Sequence, residues 1–310
     1  MDMNRLRKIL FIMCLALCIA PWVGTATALT MGVLFSLVLG NPWLQKSGHF
    51  SKIILQLSVV GLGFGVGLED VIRTGKDSVV YTIVGICFTL TLGYVLGKLF
   101  KTDKNTSALI SFGTAICGGS AIAAMAPVLR AKSDETAVAL ATVFTLNSVA
   151  LLLFPLVGHL LQLDQDIFGT WAGLAIHDTS SVVGAASAYG AQALCVGTTV
   201  KLTRAIWIAP VVFGTALLKK SEQKAKVPLF IIGFILAATI RTLLPQYGHY
   251  WGDLAAIAKQ CLVVTLFLVG AGLSREVLRN VGIRPLLQGI TLWLLVSGFT
   301  LIALVLFGIA

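Results

Sequence analysis

The chain is 310 residues long, 57% hydrophobic and only 12% charged, with a mean hydropathy of +0.93. Soluble globular proteins carry roughly 25% charged residues, so this composition, with its repeated apolar runs, excludes a soluble enzyme with one anchor, a disordered protein, a coiled coil and a disulfide-rich secreted domain. The formal charge of +10, from 23 Lys and Arg against 13 Asp and Glu, falls mostly between apolar runs, where it reports orientation in a membrane rather than a nucleic-acid partner.

In chain order the apolar runs lie at 9–22, 26–40, 53–67, 78–97, 107–131, 134–161, 166–190, 193–217, 228–244, 254–272 and 287–308. A bilayer core needs about twenty apolar residues per helix, so these eleven runs predict an all-α polytopic membrane protein with about 9–11 transmembrane segments. The first run follows Arg5, Arg7 and Lys8 and precedes Ala26-Thr27-Ala28. A retained helix is the expectation, with a cleaved signal peptide the alternative. Trp22, Trp43 and Trp251 fall near predicted interfaces and fit an aromatic belt. Six cysteines (14, 18, 87, 117, 195 and 261) lie in apolar runs without a CxxC pair, which argues against disulfides and zinc.

Two runs are interrupted. Gly113-Thr114 and Cys117-Gly118-Gly119-Ser120 break 107–131, and His177-Asp178-Thr179-Ser180-Ser181 breaks 166–190. Clustered glycine and hydroxyl residues favour a helix break, and non-helical backbone at membrane depth is tolerated only where it lines a cavity or is buried in protein. The two segments align at an offset of 60, Ile116 to Ala124 with Ile176 to Gly184, and suggest an internal repeat. A second correspondence joins Gly65-Val66-Gly67-Leu68 with Val71-Ile72-Arg73 to Gly270-Ala271-Gly272-Leu273 with Val277-Leu278-Arg279. The expected organisation is one membrane domain over 1–310, with a broken-helix core at 107–217 and repeat-related scaffold spans at 26–97 and 228–308.

Charge placement bears on topology. With a cytoplasmic N-terminus and both broken segments re-entering, 17 of the 23 basic residues lie inside, three (Arg73, Lys76, Arg241) outside and three (Lys201, Arg204, Lys259) within spans. Full crossing by both segments would move Arg130 and Lys132 outside, so the charge rule leans toward re-entry. Every repeat pair then becomes antiparallel, and inverted repeats with discontinuous helices are an architecture of secondary transporters.

The breaks present backbone N–H groups and hydroxyls at helix N-termini, where the positive end of the dipole favours an anion. The alternative is a tight crossing that needs small residues. Asp178 is the one carboxylate deep in an apolar run, with His177, Lys201 and Arg204 as candidate partners, and such a group is costly unless paired or working. Lys201 and Arg204 share a helical face and either neutralise Asp178, add positive potential for an anion, or snorkel. Lys259 is expected to snorkel, and His159 and His249 to be solvated at span ends. Cys117 and His177 are equivalent in the repeat and invite a nucleophile or metal pair, but no third ligand accompanies them.

The segments Thr114 to Ile122, Ile176 to Ala185 and Val200-Lys201-Leu202-Thr203-Arg204 together resemble the bacterial YeiH-type family, named for sulfate export, over nearly the whole chain. A more distant likeness is to the broken helix of bile acid:sodium symporters. Their Cys-Pro-Gly-Gly is matched here only by Cys117-Gly118-Gly119, without the proline, so sodium ligands are not carried over.

The resemblance implies the wider cation/proton antiporter and anion transporter class, and a multi-pass protein of the bacterial plasma (inner) membrane. The expectation is a secondary transporter, not an enzyme, exporting a small oxyanion such as sulfate or sulfite. The expected substrate site comprises Thr114, Cys117, Gly118, Gly119, Ser120, His177, Thr179, Ser180, Ser181, Lys201 and Arg204, with Asp178 and Asn147 coupling transport to H+ or Na+. The expected partners are a small anion and the lipid bilayer, with a homodimer left open and no resident cofactor or metal. The alternatives are a carrier of an organic acid, a channel, and an intramembrane Cys/His enzyme.

Overall fold

A computed structural model describes residues 3–20, 22–219, 229–272 and 282–307. Lys220, Lys224, Lys226, Arg275 and Arg279, used in the topology argument, and the motif segment from Leu273 to Arg279 lie outside the described residues. Among the described residues the regular structure is helical throughout. The helices are α1 (Met3–Leu17), α2 (Thr25–Val38), α3 (Leu44–Gly63), α4 (Leu68–Leu99), α5 (Lys104–Ala115), α6 (Gly119–Met125) and α7 (Ser133–Leu160). They continue as α8 (Gln165–Ala175), α9 (Thr179–Tyr189), α10 (Ala191–Ile206), α11 (Ile208–Lys219), α12 (Leu229–Leu243), α13 (Gly248–Ala271) and α14 (Ile283–Phe307).

Five stretches are individually long and apolar enough to cross a bilayer: Val79–Leu99, Asp134–Leu160, Ala191–Leu217, Pro245–Ala271 and Ile283–Leu306. A sixth is gained if α3 and the first turns of α4, bent by 108° at their junction, count as one span. The remaining apolar runs are realised as shorter helices, because two of them break and α2 and α12 are only 14 and 15 residues long.

The chain divides into two compact units. One holds residues 1–73 and 228–275, the other 74–227 and 276–310. The spans 78–97 and 287–308, grouped with the scaffold in the sequence reading, therefore belong to the same unit as the broken helices.

In the first unit α13 packs on α2 and α3, and α12 on α3. Small residues set these crossings: a side chain on Gly63 would stand 2.5 Å from the Phe234 carbonyl, and one on Gly61 2.6 Å from Ala258 Cβ. Lipid supplies no hydrophobic drive between helices, so close backbone approach through small residues is what holds them. Phe11 of α1 is buried against Phe35 and Phe267, with ring centroids 5.4 and 5.2 Å away. Asn41 Nδ2 donates to the Ala271 carbonyl at 2.9 Å, so an otherwise unpaired helix-end oxygen is satisfied.

In the second unit α10 lies along α8, α5 and α9 pack on α7, and α14 covers α5, α7 and α8. Trp171 of α8 stacks on Phe154 of α7 at 4.1 Å and donates its indole N–H to the Ser297 carbonyl of α14 at 3.0 Å. Gln288 of α14 reaches Ser107 Oγ of α5 at 2.8 Å and the Gly93 carbonyl of α4 at 3.2 Å. These bonds hold the scaffold on which the two breaks sit.

Candidate functional site: two helix breaks in contact

The two broken segments are built alike. Asp103 caps α5, accepting from Asn105 N at 2.9 Å and Thr106 N at 3.2 Å, and Asp164 caps α8, accepting from Ile167 N at 2.8 Å. Each carboxylate satisfies orphan N–H groups and favours the positive helix end. Glu135 of α7 also accepts from Asn105 Nδ2 at 3.0 Å and from Lys132 N at 2.7 Å, which ties the starts of α5 and α7. α5 then stops at Ala115 and α6 begins at Gly119, while α8 stops at Ala175 and α9 begins at Thr179.

Gly118 makes the first break possible. Its φ of 66° and ψ of −124° are strained for any residue with a Cβ. A Cβ there would stand 3.2 Å from Asp178 Cβ, so the breaks touch. In sequence Gly118 and Asp178 are 60 residues apart, the offset at which the two segments align.

The two interior cations lie on α10 and serve both breaks. Lys201 Nζ donates to the carbonyls of Ile176 at 2.5 Å and of Ile116 and Gly173 at 3.3 Å. Arg204 donates through Nε to Ala115 at 2.6 Å, through Nη2 to Thr114 at 3.3 Å and through Nη1 to Leu174. These are the last carbonyls of α5 and α8, where a helix leaves oxygens unpaired and carries about −0.5 charge. Carbonyls only accept, so three around Nζ use the three N–H bonds of an ammonium. Both side chains are buried, at 0% and 2% exposure, which removes snorkelling as their explanation.

This arrangement bears on one of the alternatives, that Lys201 and Arg204 neutralise Asp178 by pairing with it. Among the described residues the one side-chain ion pair within 4 Å is His249–Asp253, on the exposed start of α13. The Asp178 Oδ2 instead accepts from Ser180 Oγ. Asp178 occupies the N-cap position of α9, yet its side chain caps no N–H of that helix.

His177, fully buried, is held by Asn147 at the middle of α7. Asn147 Oδ1 accepts from the His177 backbone N–H at 3.2 Å and lies 3.0 Å from Nδ1. A backbone N–H can only donate, so the amide oxygen faces His177, and the neutral ring carries its hydrogen on Nδ1 and a lone pair on Nε2. Four buried polar atoms here lack a hydrogen-bond partner: Thr114 Oγ1, Asn147 Nδ2, His177 Nε2 and Asp178 Oδ1. Such orphans cost about 1–3 kcal/mol each and are rare in native interiors.

The remaining predicted site residues are less closely joined. Cys117 and Ser181 are buried, Gly119, Thr179 and Ser180 half-buried, and Ser120 exposed. His177 Nε2 has no partner and Nδ1 meets Asn147, so no Cys117–His177 bond forms. No group of three or more His, Cys, Asp or Glu suited to a metal occurs among the described residues. Lys259 is exposed on α13, and His159 is exposed while its ring stacks on Tyr189 at 4.5 Å.

The sequence reading missed what lets α10 come so near. Gly169 and Gly173 of α8 face Gly197 of α10, where a Cβ on Gly173 would lie 2.9 Å from Val200 Cβ and 3.0 Å from the Gly197 carbonyl. The Gly169-Thr170-Trp171-Ala172-Gly173 spacing is a small-xxx-small signal that could have located it.

Long apolar helices, two polar breaks in contact and buried cations at their carbonyl ends define a multi-pass α-helical membrane protein with a discontinuous-helix centre. The chain matches the family described as conserved hypothetical protein 698 over residues 6–289, and it belongs to that family of UPF0324 membrane proteins. It is 71% identical over 304 residues to a UPF0324 membrane protein of Geobacter sulfurreducens, covering 98% of each chain. It is 50% identical to one of Bdellovibrio bacteriovorus, covering 97% of this chain and 95% of the relative. A Vibrio parahaemolyticus relative is 45% identical, with 98% and 100% covered. No solved structure matches the chain significantly.

Proposed function

We propose that the protein is a secondary transporter of the bacterial inner membrane that exports a small inorganic oxyanion, sulfate or sulfite, with no catalytic residue. The observation that carries this reading is the contact of the two breaks at Gly118 and Asp178, with Lys201 and Arg204 behind them. The cations hold the carbonyl ends of α5 and α8, which leaves the amide ends of α6 and α9 for an anion. Thr114 Oγ1 and Asn147 Nδ2 add hydrogen-bond donors, and Lys201 and Arg204 act on the anion through their field rather than by contact. Asp178, with one oxygen unpartnered, is the coupling group for a proton or sodium ion. Two similarly built helix breaks in contact support a transporter with discontinuous helices.

The test is flux of labelled sulfate and sulfite in proteoliposomes, under and without a proton or sodium gradient. Saturable, gradient-dependent movement of either oxyanion supports the reading. Movement of organic acids alone would replace it, and unsaturable flux would make the protein a channel.

A further inference from the structure

The proposed oxyanion site is unusual in what it offers a ligand. Beside the uncapped N-terminus of α9, an 11-residue helix, stand two acceptors: the Nε2 lone pair of His177 and the free Oδ1 of Asp178. Both are buried without a partner, and Asn147 fixes the tautomer that makes Nε2 an acceptor. Asn147 Nδ2 and Thr114 Oγ1, also unpartnered, supply the complementary donors. A bare oxyanion has lone pairs only. It suits the donors and satisfies neither acceptor, and an acceptor left unpaired in a buried site is costly.

We infer that the site takes its oxyanion in singly protonated form, as a monoanion whose own hydrogen is donated to His177 Nε2 or Asp178 Oδ1. The substrate then brings a proton of its own, separate from the ion that Asp178 couples. This rests on the oxyanion reading above, and it adds His177 as the residue that sets selectivity for the protonated species.

Two isosteric pairs separate the ideas. Hydrogensulfite and chlorate are pyramidal monoanions of similar shape, of which only the first carries a hydrogen, and hydrogencarbonate and nitrate are the planar equivalents. Uptake of each is measured in vesicles holding the full chain, with sulfate as the dianion. The protonated member of each pair is expected to be favoured at least about tenfold, because a site with unpaired acceptors rejects an analogue lacking the donor. His177→Gln, whose amide can turn its NH2 to the ligand, is expected to narrow that ratio to about twofold or less. Equal uptake within the pairs, or a preference for sulfate, overturns the inference and leaves the oxyanion reading standing. No uptake of any oxyanion overturns both. If His177→Gln does not fold, the wild-type ratios alone decide.

Discussion

Gly118 and Asp178 touch across the centre of the second unit, the glycine in the left-handed region at φ 66° and the aspartate at the uncapped start of α9. The glycine cannot be replaced without both bending the backbone and pushing on the carboxylate.

Gly118→Ala is therefore expected to cost about 1–3 kcal/mol in backbone strain and to displace Asp178, whose Cβ stands 3.2 Å from the new methyl position. Transport should fall by more than the loss of folded protein accounts for. Flux per folded molecule, set against the melting temperature, checks this.

Lys201→Met and Arg204→Met keep most of the stem and remove the donors from three carbonyls each. Each is expected to destabilise the protein by about 1–3 kcal/mol for every buried carbonyl left without a donor. Arg204→Lys should recover only part, since one ammonium cannot reproduce the guanidinium fork. Thermal unfolding in detergent gives the order. Melting unchanged in all three would deny these cations their role at the helix ends.

Gly173→Val would set a branched side chain against Val200 Cβ and the Gly197 carbonyl, 2.9 and 3.0 Å from the Cβ position. Forcing α8 from α10 also draws Lys201 away from the Gly173 and Ile176 carbonyls. Loss of monodisperse protein is expected here, while the same change at Gly214, which has nothing within 4 Å of a Cβ, should be tolerated.

Asp178→Asn removes the charge while keeping an oxygen for Ser180 Oγ. The expected result is a normally folded protein that exchanges substrate across the membrane but no longer accumulates it against a gradient. Gradient-driven uptake equal to wild type would take Asp178 out of the coupling.

Both breaks were legible in the sequence because glycine and hydroxyl residues interrupt otherwise apolar runs, and α5, α6, α8 and α9 end and begin where those residues fall. Lys201 and Arg204 stood out because charge inside an apolar run has few explanations. Their partners did not, since a helix-end carbonyl belongs to the backbone and leaves no residue-type signature. A search for side-chain partners leads to Asp178, whereas the oxygens that bind these cations come from Thr114, Ala115, Ile116, Gly173, Leu174 and Ile176. Asn147 was recognisable as a polar residue in a span. Its hold on the His177 ring depends on α7 and α9 lying side by side, which spacing along the chain does not encode.

One helix, α10, carries both cations, while the oxygens they grip come from two others. The ends of α5 and α8 are thereby geared to a single shaft. Neither can slide or tilt alone without stripping hydrogen bonds from Lys201 or Arg204, so any working stroke at this centre has to carry both half-helices and α10 together as one carriage.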